Sequence, residues 1–89
     1  MKISSRVKSI VQALASQDTY TTVQTIAEQL DVSTRTVLRE LPAVEDWLKS
    51  NGFVLETKKG TGIRLILSSE EKARLYYLLK LHKADKDYT

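Results

Sequence analysis

Cysteine is absent from the 89 residues. Its absence excludes disulfides, thiolate nucleophiles and cysteine metal sites. A chain without cysteine suits a reducing compartment, and the cytoplasm is the expected location. Histidine occurs once, as His82, and no other ligand is spaced to converge on a metal with it. His82 therefore reads as a surface residue near a helix end. No serine falls into a pattern with that histidine and a carboxylate. Glu70 and Glu71 are neighbours on a helix and point apart, so they form no acid/base pair. No stretch approaches the roughly 20 apolar residues that cross a membrane. Lys2, Arg6 and Lys8 alternate with apolar residues, unlike a secretory leader. A domain this short buries only about 60–65% of the surface its unfolded chain exposes. A ligand cavity of ~300 Å³ or more is not expected inside it. These absences predict no catalytic residue, no metal, no cofactor, no small-molecule ligand and no membrane partner.

What is present is an ordinary apolar fraction of 42%, with a net charge of +3 and a pI of about 9.3. The excess charge is mild, so its placement along the chain matters more than its total.

Residues 5–16 read as a first helix, with Val7, Ile10, Val11 and Leu14 in one apolar stripe. Residues 17–20 form a polar break. A second helix covers 23–30 and buries Val23, Ile26, Ala27 and Leu30. Thr21 or Thr22 caps it, and a cap at Thr21 would complete a capping box with Gln24. Asp31-Val32 makes a very short connection, and Ser33 caps a third helix starting at Thr34. Val37, Leu41, Val44 and Leu48 lie on one narrow arc of that helix. Pro42 has no amide to offer the Leu38 carbonyl. It predicts either a kink or a break, with a second segment running to Ser50. Leu38 lies off the inward stripe and is expected to be buried by that distortion; otherwise it is an apolar contact to a thymine methyl or to a partner. Asn51-Gly52 ends the helix.

Residues 53–57 and 63–67 are β-rich and flank Lys58-Lys59-Gly60-Thr61-Gly62, a hairpin with a basic tip. Gly60 and Gly62 are no dinucleotide fingerprint, because Leu65 stands where a third glycine is needed. Ser69 opens a last helix that reaches about His82. It carries Ala73, Leu75, Tyr76, Tyr77, Leu78, Leu79 and Leu81 around most of its circumference. Such a helix needs cover on more than one side, from the core or from a second subunit. Residues 83–89 form a charged tail. The expected organisation is one domain over 1–82, with 83–89 a linker to domains outside this chain.

Two short helices joined by a tight turn and followed by a hairpin have the order of a winged helix-turn-helix, mainly α with a small β-hairpin. In that arrangement the third helix enters the major groove of duplex DNA with its N-terminal half. Arg35 and Arg39 lie one turn apart, opposite Val37 and Leu41, with Thr36 beside them. Arginine grips guanine bidentately, and threonine meets a base edge or a thymine methyl. The free amides at Ser33 and Thr34 suit a phosphate, as does the hydroxyl of Thr22 beside them. Lys58, Lys59, Thr61 and Arg64 on the hairpin would hold a phosphate or reach the minor groove. The competing readings are a solvated helix face for the arginines and edge-protecting lysines for the hairpin. A winged helix used as a protein-interaction module is the rival function; its third helix would present an apolar face.

The stretch Thr22-Val-Gln-Thr-Ile-Ala-Glu-Gln-Leu30 followed by Asp31-Val-Ser-Thr-Arg-Thr-Val-Leu-Arg-Glu-Leu41 resembles a known family. So do Trp47-Leu48, Asn51-Gly52-Phe53, Lys59-Gly-Thr-Gly-Ile-Arg-Leu65 and Ser69-Glu-Glu-Lys-Ala-Arg-Leu75. The similarity, over about residues 4–79, is to the N-terminal domain of bacterial transcription regulators controlled by the sugar phosphotransferase system, of the mannitol-operon-activator kind. Biotin-ligase-like repressors share the helix-turn-helix and the Lys-Gly-x-Gly wing, and the repressor domain of such a regulator is the alternative. The resemblance implies a DNA-binding module for a sugar-uptake operon and a homodimer in the longer protein. It also implies regulatory domains phosphorylated on histidines elsewhere. Pro42 stands where that family has a polar residue.

Overall fold

The computed structural model describes residues 4–17 and 19–81. Helix α1 (Ser5–Ala15) starts where the Ser4 hydroxyl accepts the Val7 amide at 3.1 Å. Its apolar stripe buries Val7, Ile10, Val11 and Leu14 as the spacing predicts. Helix α2 (Val23–Leu30) is capped by Thr22, which accepts the Thr25 amide at 3.0 Å. Thr21 is therefore not the cap, and the capping box with Gln24 does not form. The chain leaves α2 through Asp31 at φ 58°, a left-handed conformation that aspartate tolerates better than most residues. The Val32 amide then bonds the Ala27 carbonyl at 3.0 Å. Ser33 follows at once and caps helix α3 (Thr34–Ser50), accepting the Thr36 amide at 3.1 Å. The turn between α2 and α3 is thus three residues long, closed at one end by Asp31 and at the other by Ser33.

Helix α3 runs through Pro42 as a single element of 17 residues. The expected alternative of a break is not realised. Val37, Val44, Trp47 and Leu48 are buried on the two sides of the proline, and this shared packing holds both halves in one helix. Leu38 was expected to be buried by a distortion at Pro42. It is instead 56% exposed, because an unbroken helix leaves it at the flank of the core-facing arc, beside Leu41 and toward the groove under the wing. The helix ends with Gly52 at φ +81° and the Phe53 amide bonded to the Leu48 carbonyl at 2.9 Å, a left-handed closure that glycine supplies at low cost.

Strands β1 (Val54–Lys58) and β2 (Gly62–Ile66) pair antiparallel with Leu55 opposite Leu65, Glu56 opposite Arg64, and Lys58 opposite Gly62. The inward side carries Leu55, Ile63 and Leu65, the outward side Val54, Glu56, Lys58, Arg64 and Ile66. A second, shorter pairing fastens this hairpin to the helical body. The Thr21 amide donates to the Ile63 carbonyl at 2.8 Å, and the Ile63 amide donates to the Thr21 carbonyl at 2.7 Å. Thr21 is buried by this bridge, and its backbone lies against Gly62. A Cβ on Gly62 would stand 2.4 Å from the Thr21 carbonyl oxygen, and its φ of +136° is itself a glycine conformation.

Helix α4 (Ser69–Leu81) begins at Ser69 as expected, with Ser68 before it as the cap. The Ser68 hydroxyl accepts the Glu71 amide at 3.1 Å, and the Glu71 carboxylate accepts the Ser68 amide at 2.9 Å, the reciprocal capping box. Leu75 and Leu79 reach the core, while Tyr76 and Tyr77 stay exposed. The His82 end of the expected helix and the 83–89 tail lie outside the described residues. Arg74 pins α4 to the α3–β1 turn. Its guanidinium lies 4.6 Å from the Phe53 ring centroid and donates to the Asn51 carbonyl at 3.0 Å. The core joins α1, α2, α3, the inner hairpin face and α4 in one cluster that includes Ile10, Leu14, Ile26, Leu48 and Leu75. Each such side chain contributes ~1.5–3 kcal/mol by leaving water.

Candidate nucleic-acid interface

Two surfaces of opposite chemistry divide α3. The first half exposes Arg35 and Arg39, neither with a bonding partner among the described residues. The second half exposes Glu45 and Asp46, with Lys49 in its last turn. A polyanion approaching this helix would be drawn to its N-terminal half, where the helix dipole is also positive. Thr34 is exposed at the opening turn. The Thr36 hydroxyl is already occupied, lying 3.0 Å from the Ser33 hydroxyl. Ser33, as the cap, is likewise engaged with the Thr36 amide. Thr22 is engaged in the same manner with Thr25, through the amide at 3.0 Å and the hydroxyl at 2.9 Å. Three of the expected polar contacts therefore have intramolecular duties that position the ends of α2 and α3.

The hairpin tip overhangs α3 across an open groove of about 450 Å³. Thr22, Lys58, Lys59 and Thr61 line this groove, facing Leu38, Leu41 and Glu45 of α3. Four of the ten expected site residues thus meet in one place. Arg35 and Arg39 stand on the exposed arc beside the groove but do not line it. Lys59, Gly60 and Thr61 form the turn itself, with Gly60 at φ +80° and the Thr61 amide bonded to the Lys58 carbonyl at 3.0 Å.

Arg64 is set back from the tip, on the outward face with Lys58. Both cations lie over the Tyr20 ring, Lys58 at 5.8 Å and Arg64 at 6.0 Å from its centroid. The Tyr20 hydroxyl donates to the Glu56 carboxylate at 2.7 Å. That hydrogen bond raises the Tyr20 pKa above its ordinary value, with desolvation and the carboxylate charge adding and Arg64 opposing. Reading the sequence misses this cluster. Tyr20 sits in a polar break, and only the Thr21–Ile63 bridge places it beside a hairpin more than 30 residues away.

Among the described residues, no group of three histidine, aspartate or glutamate side chains is placed to hold a metal ion. No described helix is long and apolar enough to cross a membrane.

Three helices with a three-residue turn before the third, an antiparallel hairpin beside it and a closing helix define a winged helix-turn-helix. A family model described as an HTH domain matches residues 6–64, from α1 to the middle of β2. The chain belongs to that family, and is a helix-turn-helix DNA-binding domain of transcription regulation. Comparison with curated proteins and with solved structures found no match.

Proposed function

We propose that this domain binds duplex DNA in a sequence-specific manner, with the N-terminal half of α3 in the major groove and the wing on the flanking backbone. The observation that carries the proposal is the pairing of two unpartnered arginines one turn apart with a basic wing tip across a groove. In this reading Arg35 and Arg39 meet base edges. The Thr34 side chain and the free amides at Ser33 and Thr34 receive a phosphate at the helix N-terminus. Lys58, Lys59, Thr61, Arg64 and the Thr22 end of α2 hold neighbouring phosphates. The hydroxyls of Ser33 and Thr36 set the helix end through the bond between them and, like the Thr22 hydroxyl, still face the approaching duplex.

At the next level of detail, we read the domain as part of a cytoplasmic bacterial regulator of a sugar-uptake operon, of the phosphotransferase-controlled kind, acting as a homodimer. The resemblance of residues 22–41 and 59–65 supports the first part. Tyr76 and Tyr77, exposed on α4, support the second, because exposed aromatics are favoured at protein interfaces. Selection of duplexes from a random library, followed by footprinting, tests the proposal. A dimer requires an inverted repeat, with half-sites about 10 base pairs or a multiple apart. With four to six phosphate contacts, the slope of log affinity against log salt would be roughly −4 to −5. Failure to enrich any motif, with a flat salt response, would refute DNA binding.

A further inference from the structure

We propose that Leu38 reads thymine, through the C5 methyl group, at a position flanked by the bases that Arg35 and Arg39 contact. The proposal rests on the DNA-binding reading above and commits to one of the two roles left to Leu38 once it is not buried, at a residue that is not among the ten expected contacts. At 3.6 residues per turn, positions 35, 38, 39 and 42 fall within an arc of about 100°. Val37, Val44 and Leu48 occupy the opposite, buried arc. Leu38 thus projects from the same face as the two arginines, with 56% of its surface in solvent.

A leucine here has no role in the core. Its burial could be lost without loosening α3, yet it interrupts a polar face with apolar surface. It also forms the wall of the groove beneath the wing, next to the half-buried Leu41. Pro42, the following residue on this arc, is exposed as well. The recognition face therefore carries an apolar strip, Leu38 and Pro42, alongside a cationic strip, Arg35 and Arg39.

The chemistry of the major groove narrows what such a strip recognises. Every base pair presents hydrogen-bond donors and acceptors there, and leucine satisfies none of them. Burying such groups against leucine without replacement bonds costs free energy. The thymine methyl is the one apolar feature in that groove of unmodified DNA. The arginines select guanine on either side by bidentate bonding. The half-site would accordingly combine guanines with a thymine, read by two different physical effects from one turn of helix.

Deoxyuridine pairs as thymidine does but lacks the methyl group, so it isolates this contact. Duplexes selected by the wild-type domain from a random library would be resynthesised with deoxyuridine at each thymine in turn. Wild-type affinity should fall about fourfold at one position per half-site, the equivalent of one buried methyl group. The Leu38→Ala variant should bind the thymine duplex more weakly and show no such discrimination at that position. Because Leu38 lies outside the core, its melting temperature should match the wild type. Equal affinity for thymine and uracil duplexes at every position would overturn the proposal while leaving DNA binding intact. So would a uracil effect that persists in Leu38→Ala. Loss of self-association in Leu38→Ala, with unchanged base discrimination, would assign the residue to a protein contact instead. If the library yields no enriched duplex, the DNA-binding reading fails and this inference fails with it.

Discussion

Replacing Gly62 with alanine should detach the wing, whereas the same change at Gly60 should not. Both glycines have positive φ, +136° and +80°. Their surroundings differ. An added Cβ at Gly60 meets nothing within 4 Å, while at Gly62 it falls 2.4 Å from the Thr21 carbonyl oxygen. The cost at Gly60 is backbone strain alone, ~1–2 kcal/mol for a residue forced into the left-handed region. At Gly62 a strained conformation costs ~1–3 kcal/mol. The clash must also be relieved by moving β2 away from Thr21. Doing so stretches the two Thr21–Ile63 hydrogen bonds, of 2.8 and 2.7 Å, each worth about 0.5–1.5 kcal/mol net. The total is ~2–6 kcal/mol, a large part of the stability of a domain this size. For a domain of this length each kcal/mol shifts the melting temperature by about 4–8 °C. Thermal melts of the two variants would check the ranking. Amide hydrogen exchange at Thr21 and Ile63 would show whether the bridge opens in Gly62→Ala alone. If both variants melt together and keep the two amides protected, the bridge does not hold the wing.

Two further changes probe the rest of the framework. Arg74→Met should lower stability by roughly 1 kcal/mol, by removing the contact with the Phe53 ring and the bond to the Asn51 carbonyl. It should leave DNA affinity intact, which urea unfolding beside a binding isotherm would show. Glu56→Gln should return the Tyr20 pKa toward its ordinary value, because the carboxylate that accepts the phenol proton is the main cause of the rise. A raised folded-state pKa gives stability that is complete below the unfolded value, near 10, and lost as pH rises through the folded value. The alkaline loss of stability should therefore be smaller in Tyr20→Phe than in the wild type. Phenolate absorbance titration and unfolding at pH 9–11 measure both effects.

Much of this architecture was legible in short-range chemistry. Ser33 before Thr34 and Gly52 after α3 are local signals that act over one turn of chain, and each appears where the spacing predicts. The short Asp31-Val32 connection was also legible, but not the left-handed conformation of Asp31. The β-rich runs 53–57 and 63–67 likewise placed the hairpin, though not which of its sides faces the core. Readings that depend on tertiary context were less legible. Pro42 is a helix breaker by local rule, yet Val37, Val44, Trp47 and Leu48 bury on one continuous surface and keep α3 whole. That continuity in turn exposes Leu38. Thr21 was one of two candidate helix caps, but a long-range bridge to Ile63 claims its backbone. The same bridge creates the Tyr20 cluster, for which no nearby residue gave a signal. Ser33 and Thr36 were correctly placed at the end of α3, but their mutual hydrogen bond could not be inferred from their types.

The central claim divides the labour between α3 and the wing, and one measurement separates the two. The base-preference profile of the wild type would be compared with those of Arg35→Ala, Arg39→Ala and Lys59→Ala on the selected duplex and all its single-base variants. Loss of an arginine that reads a base should cost ~1–3 kcal/mol and flatten preference at one position per half-site. Loss of Lys59 should weaken every duplex by the same factor, because a phosphate contact carries no sequence information. Arginine variants that weaken all duplexes equally and keep the wild-type profile would contradict the assignment of α3 as the recognition helix.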